Sequence, residues 1–145
     1  MKIRQTVVYI LFLTLAMQGF AQEGTIFGKW KTVDDETGEA KSTVEIYKKG
    51  DKVFGKVVAI TDPDHQNEIC DKCEGEEKNT PIIGLEIIKN LEEDDGEYSG
   101  GTVFDPEKGK KYTAKIWLDK KDPSILHLRG YVAIFYRTQD WIRVE

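Results

Sequence analysis

Residues 98–118 leave this chain little choice of fold: Tyr-Ser-Gly-Gly-Thr-Val-Phe-Asp-Pro-Glu-Lys-Gly-Lys-Lys-Tyr-Thr-Ala-Lys-Ile-Trp-Leu. Lys111, Thr113, Lys115 and Trp117 alternate with Tyr112, Ala114, Ile116 and Leu118. A period of two places one set on each face of a half-buried strand. Val103 and Phe104 lead into Asp105-Pro106-Glu107-Lys108-Gly109. Pro106 presets φ for the second position of a turn, and Gly109 can take φ > 0 on the way out. The stretch therefore reads as a hairpin. Similar hairpins run from Phe27 to Val144, which makes one antiparallel all-β domain the expected fold.

The other strands follow from the same alternation. Phe27–Asp34 is the first, followed by a turn at Asp35–Glu39 where Gly38 can take φ > 0. Ser42–Lys48 carries Val44 and Ile46 on one face and Glu45 and Tyr47 on the other. Lys52–Ile60 follows the turn Lys49-Gly50-Asp51, with Gly55 marking a bulge or bend. Pro81–Leu91 is apolar and dominated by Ile, so a strand is expected there rather than a helix that Gly84 would weaken. Glu92–Gly96 and Asp119–Pro123 read as turns, and Ile125–Phe135 and Arg137–Val144 as the last strands. About eight strands result, enough to close a barrel that is filled by side chains or holds one small ligand. Thr61–Pro81 interrupts the rhythm. It is polar, carries seven acids and both cysteines, and is expected to be a mobile flap over residues 61–80.

The 145 residues suit one domain preceded by an export signal. Lys2 and Arg4 precede an apolar run from Val7 to Met17, and Gly19-Phe20-Ala21 places small residues at a cleavage point. The run is too short for a spanning helix, which needs roughly 20 apolar residues. The expectation is a signal peptide at 1–21 and a mature domain at 22–145, exported to the periplasm or beyond, with no membrane span. The full chain has a net charge of −5, and loss of Lys2 and Arg4 makes the remainder more acidic still. With no basic stripe, nucleic-acid binding is a poor fit.

Cys70-Asp-Lys-Cys73 is the sharpest local motif. In an oxidising compartment it can close a disulfide across a turn. Thioredoxin-like redox chemistry would need a helix N-terminus to lower a thiol pKa, whereas Asp62, Asp64, Glu68, Asp71, Glu74, Glu76 and Glu77 should raise it. Zinc could use Cys70, Cys73 and His65, but a closed site wants four ligands. The disulfide is the preferred reading, with no metal. His65 and His127 stand in no triad order with a serine, so no catalytic residue is assigned. His127, Arg129 and Tyr131 share one face of a late strand. Turned inward, they and Tyr112 would offer polar groups to a ligand; turned outward, they leave Leu126, Leu128 and Val132 as the better core set.

Gly28-x-Trp30, Thr37-Gly38, Val44-x-Ile46, Gly55-Lys56-Val57, Cys70-x-x-Cys73, Pro81-Ile-Ile-Gly84, Gly100-Gly101, Asp105-Pro106, Gly109-Lys-x-Tyr112, Arg129-Gly130-Tyr131 and Trp141-x-Arg143 arrive in this order over the whole mature chain. The chain thereby resembles the secreted bacterial family called domain of unknown function 2147. That resemblance implies a lipocalin-like β-barrel in the cell envelope and leaves the activity open. Lipocalins open with Gly-x-Trp and pack an Arg of the last strand on that Trp. Trp30 and Arg143 are similar in type and place, which implies a plug at one end of the barrel. The resulting functional expectation is a non-catalytic module that binds a small, partly apolar ligand or an envelope protein, without a cofactor. The alternative is an enzyme, either a thiol–disulfide catalyst using Cys70 and Cys73 or a hydrolase.

Overall fold

The computed structural model describes residues 24–144; the expected signal peptide lies outside them. Eight antiparallel strands form a closed barrel in which each pairs with the next in sequence. They are β1 (Gly28–Val33), β2 (Ala40–Lys49), β3 (Lys52–Ile60), β4 (Glu86–Asp94), β5 (Glu97–Asp105), β6 (Lys110–Leu118), β7 (Ile125–Val132) and β8 (Phe135–Val144). The barrel closes where Lys29, Trp30 and Lys31 of β1 meet Val144, Arg143 and Ile142 of β8. From Thr32 onward β1 pairs with β2 alone, so the wall parts toward one end.

Alternation fixes which side chains fill the interior. Trp30, Val44, Ile46, Ile88, Leu91, Ile116 and Leu126 are fully buried and come from β1, β2, β4, β6 and β7. Gly55 of β3 lies between two of these wall residues: a Cβ there would come within 3.2 Å of both Ile88 and Val44. A side chain at Gly55 would therefore have to push against both.

Three boundaries differ from the sequence reading, each for a local reason. The expected strand from Pro81 begins at Glu86, because Gly84 turns the chain with φ 101° and Pro81 makes only an isolated bridge to Ile69. The expected turn at 92–96 is mostly ladder: Glu92, Glu93 and Asp94 pair with Ser99, Tyr98 and Glu97. Only Asp95 and Gly96 turn, both with positive φ, as a tight hairpin with right-handed twist requires. The expected single strand Ile125–Phe135 folds back at Ala133-Ile134, with Ala133 at φ 53°. Val132, expected in the core, is 56% exposed at that tip.

The long β3–β4 connection is largely exposed, as its composition suggested, but it is tied down at several points. It carries two short 3-10 turns, Pro63–His65 and Gly75–Glu77. Cys70 N–H donates to the Thr80 carbonyl (2.7 Å), Asn79 N–H to that of Cys70 (2.9 Å) and Ile82 N–H to that of Glu68 (2.9 Å). Lys72 donates to the Glu107 carbonyl, and Lys89 pairs with Glu77 at 2.7 Å, fastening the loop to the β5–β6 turn and to β4. The Cys70–Cys73 disulfide turns both side chains inward, where they are buried with the core. A small apolar anchor and satisfied backbone groups offset the ordering entropy that the acidic residues alone would not.

Candidate functional site

The parted end of the barrel is a mouth framed by the β1–β2 turn, the β3–β4 connection, the β5–β6 turn and the β7–β8 hairpin. Beneath it lies a cavity of about 390 Å³. Its walls are apolar: Val57, Ile60, Ile82, Ile87, Val103, Phe104, Leu128 and Trp141. Polar groups stand among and above them: Thr32, Ser42, Tyr112 and Gln139 within, and Asp34, Glu36, Lys41, Glu68, Asp105, Lys108 and Arg137 toward the rim. Gly130 lines it as well; a Cβ there would sit 3.3 Å from Tyr112 Cβ, so the glycine makes room for the tyrosine.

The polar groups are held in place. Thr32 Oγ1 and Ser42 Oγ lie 2.9 Å apart, and Ser42 N–H donates to Thr32 Oγ1 (3.1 Å), tying β1 to β2 where β1 leaves β8. Trp141 Nε1–H donates to Gln139 Oε1 at 3.2 Å. Arg137 spans the parted seam. Its Nε and Nη2 donate to the two carboxylate oxygens of Asp35 at 2.6 and 2.5 Å, and Glu36 lies 3.3 Å away. The hydrogen bond from Arg137 holds the Asp35 carboxyl below its ordinary range. Backbone N–H groups of Thr37 and Glu36 do the same for Asp34, which caps the turn.

The structure separates the four residues the sequence offered as ligand contacts. Tyr112 lines the cavity. His127, Arg129 and Tyr131 do not, because Leu126, Leu128 and Gly130 take the inward positions of β7 and the period of two sends their neighbours outside. Arg129 lies flat on the outer wall, 5.1 Å from the Trp117 ring and 4.2 Å from that of Tyr136. His127 is clamped between two carboxylates, Nδ1 to Asp140 at 2.6 Å and Nε2 to Asp119 at 3.0 Å. Burial alone would lower its pKa, but the hydrogen bonds that the ring donates to Asp140 and Asp119 outweigh it, and the pKa is raised above 6.5. A histidine raised in the folded state adds stability that is complete below the unfolded pKa and is lost as pH rises through the folded value. Unfolding midpoints measured from pH 5 to 8 should therefore fall as pH rises above about 6.5, the unfolded pKa of histidine. His127→Gln should remove that component; an unchanged slope would refute the clamp.

Cys70 and Cys73 form the disulfide, and at 0 and 5% exposure they present no sulfur to a partner thiol. His65 points to Glu68 and Asp62 instead of to the cysteines. At the closed end the Arg143 guanidinium lies 4.2 Å from the centre of the buried Trp30 ring.

The sequence reading did not single out Thr32, Arg137, Gln139 or Trp141 as cavity residues. A signal for them existed. If Arg143 reaches Trp30 inside the barrel, then Trp141, Gln139 and Arg137 share its face by the period of two, as Thr32 shares that of Trp30.

Comparisons agree on the architecture. The family described as "Uncharacterized protein conserved in bacteria (DUF2147)" matches residues 28–143. Among curated proteins none matches. A solved structure, protein HP1028 from Helicobacter pylori, described as belonging to the lipocalin family, superposes with a TM-score of 0.67. The two are 17% identical, and the match covers 84% of each chain.

Proposed function

We propose that this chain, which belongs to the DUF2147 family and has a lipocalin-like barrel, is a non-catalytic binding module for a small, partly apolar ligand. The observation that supports this is the cavity of about 390 Å³ at the parted mouth. Pockets for small molecules run from about 300 to 1,000 Å³, mostly apolar with a few placed polar groups, so this one suits a ligand at the small end. Val57, Ile87, Val103, Leu128 and Trp141 would surround its apolar body, and Thr32, Ser42, Tyr112 and Gln139 would meet its polar part. The buried disulfide gives no support to redox chemistry, and its place in the core suits a staple that holds the β3–β4 connection against the mouth. Export to the envelope, with removal of residues 1–21, belongs to the same proposal, since a disulfide is kept in oxidising compartments.

Native mass spectrometry of the protein isolated from its own cells should show a mass retained above that of the chain. An environment-sensitive apolar dye should bind in its place once that mass is removed. Leu128→Phe directs added volume into the cavity and should weaken dye binding about tenfold or more, with unfolding changed by no more than about 1–3 kcal/mol. Unaltered dye binding would place the ligand elsewhere.

A further inference from the structure

The large apolar side chains left in water gather at one end of the barrel. Val132, Ile134, Phe135 and Tyr136 are 56, 86, 75 and 61% exposed and form the β7–β8 tip. Ile69, 49% exposed, stands on the β3–β4 connection, another part of the mouth. Ile142, near the far end of β8, is the exception among the described residues. The turns at the closed end, Lys49-Gly-Asp-Lys52, Asp94-Asp-Gly-Glu97 and Asp119-Lys-Lys-Asp122, are charged, as are the β1–β2 and β5–β6 turns at the mouth; the β7–β8 tip alone among the hairpin turns carries no charge. The exposed apolar surface is thus concentrated on one hairpin tip at the mouth, with Ile69 at the same end, and not spread around the opening.

The tip is also built against local preference. Tight hairpin turns favour Gly, Asn or Asp where φ is positive, yet Ala133 holds φ 53° between Val132 and Ile134. Strain kept at an exposed apolar turn points to a contact made by that turn. Just below it, Tyr136 lies under the Arg129 guanidinium at 4.2 Å. Apolar tip, then aromatic ring with a polar end, then cation is the order met on passing from the acyl region through the headgroups of a bilayer.

We propose that the β7–β8 tip docks on a lipid bilayer, with Ile134 and Phe135 inserted at the boundary between headgroups and acyl chains. The tip is four exposed side chains about a two-residue turn, which suits a fluid surface that closes around it better than a second copy bearing the same tip, since stable protein interfaces bury about 1,200 Å² or more. Docking here is apolar in origin. Beside the tip the mouth is acidic, with Asp34, Asp35, Glu36, Asp105, Glu107 and the seven acids of the β3–β4 connection exceeding its lysines and Arg137, and the chain has a net charge of −5, so zwitterionic lipid is favoured over anionic lipid. The inference is independent of the cavity's contents, because the tip can dock whether or not the barrel holds a ligand.

Flotation with phosphatidylcholine vesicles tests it. The purified protein should float with the vesicles, and replacing part of the lipid by phosphatidylglycerol should reduce the bound fraction. The double variant Ile134→Ser/Phe135→Ser should lose binding about tenfold or more, while Ile142→Ser should bind as the unaltered chain does. Phe135→Trp keeps the apolar surface, and its emission should shift to the blue when vesicles are added. An unaltered protein that stays with the unbound fraction, a serine variant that floats equally well, or an indole that does not shift would each overturn the proposal. So would a dimer in sedimentation equilibrium that Phe135→Ser dissociates, which would make the tip a contact between copies.

Discussion

Replacing Trp30 by alanine is expected to lower the unfolding free energy by about 3–5 kcal/mol, the range for deleting a fully buried aromatic side chain. Trp30 has no exposure, and its Nε1–H donates to the Ile26 carbonyl at 2.8 Å. Its loss would open a void at the closed end and leave that carbonyl unpaired. It would also strip the Arg143 guanidinium of the ring beneath it, while the arginine's bonds to the Phe27 and Thr25 carbonyls remained. A guanidinium over an aromatic ring contributes about 0.5–2 kcal/mol, so Arg143→Ala should cost much less than Trp30→Ala. Urea unfolding of both single variants and the double variant gives the coupling between them. A Trp30→Ala cost below that of Arg143→Ala would show that the ring is not what holds the barrel end shut.

Gly101→Ala is expected to be similarly damaging, at about 3 kcal/mol or more, or to prevent folding. A Cβ at Gly101 would lie 2.0 Å from the Lys89 carbonyl oxygen and 2.6 and 2.8 Å from the Asn90 carbonyl carbon and oxygen. All three are backbone atoms of β4, where Asn90 takes φ 62° and interrupts the regular ladder to β5. A side chain can rotate away from a clash; this backbone can move only by losing its pairing with the neighbouring strand. The adjacent Gly100 supplies the control. Its φ is +82° and open space surrounds it, so Gly100→Ala should cost only the left-handed penalty of about 1–2 kcal/mol. Equal unfolding midpoints for the two alanine variants would mean that β4 and β5 are not pressed together at Gly101.

The Gly100-Gly101 pair shows how much a sequence conveys and where it stops. The dipeptide marked a special position in the chain, but not that one glycine is needed for its φ and the other for the approach of a different strand. The β7–β8 hairpin shows the converse. Ala133-Ile134 contains none of the residues that announce a turn, so the run from Ile125 to Phe135 read as one strand. The acidic β3–β4 connection is anchored by two buried cysteines that its composition outweighs in any local count, and their burial is a property of the folded barrel.

From the sequence alone came the all-β class, about eight strands, the antiparallel order and the family resemblance. These rest on local matters: side chains alternate across a strand with a period of two, and turns need residues that tolerate their φ. The parting of β1 from β8, the cavity under that opening, the bidentate hold of Arg137 on Asp35 across it and the outward turn of His127, Arg129 and Tyr131 were decided by tertiary structure. Barrel closure sets which face of each strand points inward and where the last strand meets the first. That is a condition on all the strands together, which no single stretch of the chain contains.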